Sequence, residues 1–124
     1  VDDEKIEMLM NQLFFLALDL KDDESLIKEY EDYHVKVWPE IIESIRASGI
    51  LDMQIYRTGN RMIMMIEASP EFSFETKRKM DLGNSKVQEW EELMWKFQLP
   101  LPHAKHGEKW VLMSQIFKLP HEVI

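Results

Sequence analysis

A phenol, an imidazole and an indole recur at four-residue spacing in the segment Glu29 to Glu40, at Tyr30, His34 and Trp38. On a continuous helix, side chains four apart share one face. Histidine exchanges protons near neutrality without special tuning, so His34 is the candidate general acid/base. Its neighbours Tyr33, Tyr30 and Trp38 carry no charge, and its pKa is expected to stay near neutral, where proton transfer works in both directions. Aromatic walls of this kind frame a sugar-sized pocket. Taken alone, the same stripe also reads as core, and a lone helical histidine as a satisfied structural residue.

A second aromatic candidate lies in Val87-Gln88-Glu89-Trp90-Glu91-Glu92. The indole of Trp90 can stack on the apolar face of a pyranose, and Glu91 can accept hydrogen bonds from hydroxyls. Core packing for Trp90 and solvation for Glu91 are the plainer reading. His103, His106 and His121 lack a carboxylate at ligand spacing, so no metal is expected and the Pro100–Gly107 loop reads as mobile or lid-like. The four glycines are not clustered into a phosphate loop, so no nucleotide cofactor is expected. The serines show no nucleophile-elbow pattern. The nine methionines read as core fillers.

These residues need elements to hold them. Residues 1–12 are acidic and aperiodic, an expected N-terminal arm, and residues 121–124 an expected tail. The domain proper is expected over 13–120. Leu13–Leu18 is short and continuously apolar, a strand covered on both faces. A helical pattern runs from Leu26 to Ala47 and stops at Ser48-Gly49. Pro39 interrupts it, either as a kink opening a cleft beside His34 or as N1 of a new helix with Glu40 near its dipole. Leu51–Tyr56 alternates as a half-covered strand, Arg57–Asn60 is a turn, and Met62–Ile66 is a second strand, forming a hairpin expected to be central in its sheet. Helices follow over 70–80 and 87–97, with Trp90, Met94 and Phe97 on one side of the latter. A last strand is expected over Trp110–Phe117.

The order β-α-β-β-α-β is the split βαβ, ferredoxin-like α+β arrangement: an antiparallel sheet with helices on one face. Strands apolar on both faces then require cover for the second face. A second copy of the sheet is the economical cover, giving a homodimer, a dimeric α/β-barrel.

At 124 residues one domain is expected, large enough to fold without staples. A net charge of −8, with no basic cluster, argues against a nucleic-acid partner. No apolar run reaches membrane-spanning length. The acidic start Val1-Asp2-Asp3-Glu4 does not resemble a secretory signal. Zero cysteines exclude disulfides and thiol nucleophiles and fit a cytoplasmic setting.

The motif Glu29-Tyr30…His34…Trp38-Pro39-Glu40, followed by Ser48-Gly49-Ile50, Ile55-Tyr56, Val87-Gln88-Glu89-Trp90 and Ile116-Phe117-Lys118-Leu119-Pro120, resembles the L-rhamnose mutarotase family in matching order. The resemblance spans about Leu13 to Pro120. It implies a dimeric ferredoxin-like barrel interconverting anomers of a 6-deoxy-L-sugar without cofactor or metal. It places the proton donor at His34 and sugar contacts at Tyr30 and Trp90. Two positions depart from the rhamnose pattern. Met53 stands where the family has a sugar-contacting tyrosine, and Glu91 where it has the second tryptophan of a pair. An aromatic donor lost and a carboxylate gained imply a changed pattern of hydroxyls, as in the branch associated with L-fucose.

The expected mechanism has His34 as the acid on the ring oxygen and Tyr30 positioning the sugar, with Trp38 and Glu40 as possible support. Water, Glu91 or Glu40 remain open as the partner base. Two other readings compete: a cofactor-free monooxygenase of the same barrel type, by fold analogy alone, and a non-catalytic sugar-binding dimer.

Overall fold

The computed structural model describes residues 10–121. The chain runs β1 (Gln12–Leu20), α1 (Glu24–Val35), α2 (Pro39–Ala47), β2 (Ile50–Thr58), β3 (Arg61–Ala68), α3 (Phe74–Leu82), α4 (Ser85–Trp95), β4 (Gln98–Leu99) and β5 (Val111–Leu112). The arm expected over residues 1–12 falls mostly outside the described residues, and its last member, Gln12, already belongs to β1. Of the expected tail, residues 122–124 also fall outside.

Three of the four helices among the described residues begin at a side-chain cap. Asp23 accepts from the Leu26 amide ahead of α1, Ser73 from Thr76 ahead of α3, and Asn84 from Lys86 and Val87 ahead of α4. The pattern over Leu26–Ala47 is two helices rather than one. Pro39 takes the first turn of α2, where its missing N–H costs nothing, and the chain breaks at Lys36–Trp38. Trp38 therefore precedes α2 and does not extend the face carrying Tyr30 and His34, which corrects the three-residue stripe. Gly49 has φ +98°, the left-handed turn that carries the chain from α2 into β2.

The strand order is β2-β3-β1-β4, all antiparallel, with β5 also on the β1 edge beyond β4. This is the ferredoxin-like order. The hairpin is not central as a unit: β3 is interior, but β2 is the sheet edge. Its Asp52, Gln54 and Arg57 are exposed, as suits an edge. Leu16, Leu18 and Leu20 on β1, with Met62, Met64 and Ile66 on β3, turn toward the helices and are buried. The alternate residues Leu13, Phe15 and Ile63 turn to the other face, where they are 59%, 43% and 37% exposed.

The last strand is much shorter than Trp110–Phe117. Past Leu112 the ladder gives one more bond, from the Met113 amide to the Phe15 carbonyl at 2.7 Å. Ile116 and Phe117 then stand 97% and 73% exposed. A strand needs cover for its apolar side chains as well as a ladder, and nothing among the described residues lies over these two.

Candidate active site

A cavity of about 860 Å³ lies between the helices and the helix-facing side of the sheet. That is within the usual range for small-molecule sites. Tyr30 and His34 from α1, Met53 from β2, Trp90 and Glu91 from α4 and Gln98 from β4 all line it. Five of these are residues singled out from the sequence. Trp38 is not in the wall. It packs behind it, with its ring 5.0 Å from that of Trp90. Glu40 is exposed on the first turn of α2 and does not border the cavity.

The i, i+4 geometry of α1 fixes the imidazole. Nδ1 of His34 lies 2.8 Å from the Tyr30 carbonyl oxygen, which can only accept, so Nδ1 carries the proton. Nε2 is then left with its lone pair. The Tyr30 ring lies 4.4 Å from the imidazole, centroid to centroid, and the Trp90 ring 5.6 Å away and edge-on at 66°. Burial in this aromatic setting lowers the His34 pKa below its ordinary 6.5, partly offset by the hydrogen bond to Tyr30. The sequence left His34 near neutrality; desolvation by Tyr30, Trp90 and their neighbours moves it down, so at pH 7 it rests neutral.

Tyr30 is buried, and burial raises its pKa, so it stays a phenol. The Gln98 amide nitrogen donates to its hydroxyl at 3.4 Å, which leaves the phenol proton for another acceptor. Gln98 itself is only 6% exposed, and its Oε1 has no hydrogen-bond partner among the described residues. Sequence reasoning missed this residue. Its one signal is a polar amide inside the apolar run Phe97–Leu99.

The Pro100–Gly107 loop is irregular, anchored by buried Leu101, with His103 and His106 exposed. The chain returns from it past the cavity rim. Lys109 Nζ lies 3.5 Å from the Glu91 carbonyl oxygen and 4.9 Å from the centre of the Trp95 ring, and Trp110 joins the wall. Lys77 and Asp81 of α3, also unforeseen, border the same cavity.

A ferredoxin-like sheet whose helix side holds an aromatic cavity, with an imidazole in its wall that keeps a free lone pair, can bind a small molecule and exchange a proton with it. The comparisons narrow that class. A model of the L-rhamnose mutarotase family matches residues 14–119. The chain is 39% identical over 118 residues to an L-fucose mutarotase of Xanthomonas campestris pv. campestris, covering 94% of each chain. Among solved structures, an L-rhamnose mutarotase of Formosa agariphila superposes with a TM-score of 0.64 at 14% identity, over 88% of this chain and 99% of that one. A dimeric ferredoxin-like protein from an uncultured marine organism superposes with a TM-score of 0.52 at 13% identity, over 94% and 99%. These two likenesses bear on the fold. The chain belongs to the L-rhamnose mutarotase family and is a sugar-anomer isomerase. No helix among the described residues is long and apolar enough to cross a membrane.

Proposed function

We propose that this mutarotase acts on a 6-deoxy-L-hexose, with L-fucose favoured over L-rhamnose, and that His34 carries the proton. The observation behind the proposal is the fixed tautomer: Nδ1 is committed to the Tyr30 carbonyl, and Nε2 is available on a residue that lines the cavity. Because His34 rests neutral, Nε2 first takes the proton of the anomeric hydroxyl. As the C1–O5 bond breaks and the C1=O1 double bond forms, the imidazolium returns that proton to the ring oxygen O5. The open aldehyde turns about C1–C2 and closes on its other face by the reverse transfers. His34 is thus the donor to the ring oxygen and also its own partner base. Acid/base help of roughly 10²–10⁴-fold with positioning is enough for a reaction already easy in water. Tyr30 donates to a sugar oxygen, Trp90 supplies the apolar wall, and Glu91 accepts from a hydroxyl. Glu40, away from the cavity, has no part in the proton path.

The preference for L-fucose rests on Met53 and Glu91, both in the cavity wall, and on the name of the 39% identical relative. The working unit is a cytoplasmic homodimer. Its support is the uncovered apolar face with Leu13, Phe15 and Ile63, together with bare Ile116 and Phe117.

Saturation-transfer NMR on L-fucose and L-rhamnose tests the reading. Wild type should accelerate anomer exchange, more for L-fucose, and His34→Ala should not. Undiminished exchange in the variant removes His34 from the mechanism; equal rates on both sugars remove the preference.

A further inference from the structure

Helix α3 carries two lysine–acid pairs at i, i+4, and they are built in opposite senses. Glu75 and Lys79, 3.5 Å apart with side chains 75% and 72% exposed, follow the favourable order: acid toward the N-terminus, base toward the C-terminus. Lys77 and Asp81, 2.6 Å apart, reverse it, and their side chains are only 21% and 14% exposed. Asp81 thus sits in the last turn of α3, where the helix dipole repels a carboxylate. Both members border the cavity that holds His34 and Trp90. Phe74 is the residue of α3 that packs against the core, and Lys77 and Asp81, three and seven positions on, share its inward side beside the cavity. Gln88 of α4, two residues before Trp90 and three before Glu91, donates to the Asp81 carbonyl oxygen at 2.9 Å and ties this end of α3 to the helix bearing the aromatic wall. A half-buried, dipole-opposed ion pair at a cavity wall is a poor stability device. It is well suited to a ligand.

We infer that the Lys77–Asp81 pair is a hydroxyl-reading element of the sugar site, contacting the substrate away from the anomeric centre. The carboxylate accepts from sugar hydroxyls and the ammonium donates to a sugar oxygen. The pair is neutral as a unit, which suits a neutral polyol better than a sugar acid or phosphate. The inference rests on the sugar-site reading above and adds residues that set specificity there.

The test uses the full chain as wild type, Asp81→Asn, Lys77→Met and, on the solvent side of the same helix, Glu75→Gln. Binding of L-fucose and L-rhamnose is measured by calorimetry, exchange by saturation-transfer NMR, and stability by thermal melting. A lost charge-assisted hydrogen bond predicts that Asp81→Asn weakens L-fucose binding and raises KM by about 10–100-fold. Its kcat should stay within about twofold, because the proton path is untouched, while Tm stays close to that of wild type, the relieved dipole conflict offsetting a Lys77 left without its partner. Lys77→Met should raise KM, and Glu75→Gln should change neither KM nor kcat. A merely structural pair predicts the reverse: lower Tm with equal losses on every sugar. That result, or sugar affinity within twofold of wild type in Asp81→Asn, overturns the inference. A wild type that binds L-fucose without accelerating exchange would sink the mutarotase reading, and the affinities alone would still decide the role of the pair. A wild type that binds neither sugar overturns both.

Discussion

Trp90 meets His34 edge-on, ring centroids 5.6 Å apart, and is itself braced by Trp38 at 5.0 Å and Tyr33 at 6.4 Å. The imidazole is kept dry by a ring that cannot easily move aside. Trp90→Ala should therefore admit water and raise the His34 pKa back toward 6.5. An NMR titration of the His34 ring protons checks this; an unmoved titration would mean that other groups hold the pKa down.

Exchange should depend on pH through the same group. The neutral imidazole starts the cycle, so the rate should be full at pH 7 and fall only as pH drops through the lowered His34 pKa, below 6.5. Stability shares the sign. The unfolded chain takes up the His34 proton first, so this contribution is present above about 6.5 and is lost as pH falls toward the folded value. Parallel rate and melting profiles from pH 7.5 to 4.5, for wild type and His34→Gln, would show it. In His34→Gln the rate should be lower by roughly 10²–10⁴-fold, and this part of the pH dependence of stability should vanish.

Gln98→Met keeps the side-chain length and removes a buried oxygen with no partner among the described residues. An unpaired buried acceptor costs about 1–3 kcal/mol, so the variant should be as stable as wild type or more so. The hydrogen bond to Tyr30 is lost with it, which tempers the gain. Urea unfolding with an unchanged m-value is the measurement; a large drop in midpoint would show that the amide is needed for packing.

Phe15→Asp places a charge on the uncovered face of β1 without touching the cavity. Sedimentation should show the proposed dimer in wild type and monomer in the variant. A species of unchanged mass, whether monomer or dimer, would remove this face from the assembly.

The fold was largely legible because strand and helix periods differ along the chain and the caps Asp23, Ser73 and Asn84 mark starts. Tyr30 and His34 were legible because their spacing matches one helical turn. Trp38 was misplaced by the same rule, since Pro39 restarts the helix and resets the phase. Residues 113–117 read as the end of a strand, but pairing depends on an edge and a cover that the described residues do not supply. Lys77, Asp81 and Gln98 were invisible because only tertiary packing brings α3 and β4 to the wall.

The strand β1 is one residue thick, with the cavity on one side and the bare apolar face on the other. Phe15 and Leu16 are bonded neighbours with different audiences, the first a would-be twin chain and the second the substrate chamber. Tolerance to change should therefore switch between these two neighbours, so that substitutions of Leu16 alter turnover and those of Phe15 alter mass.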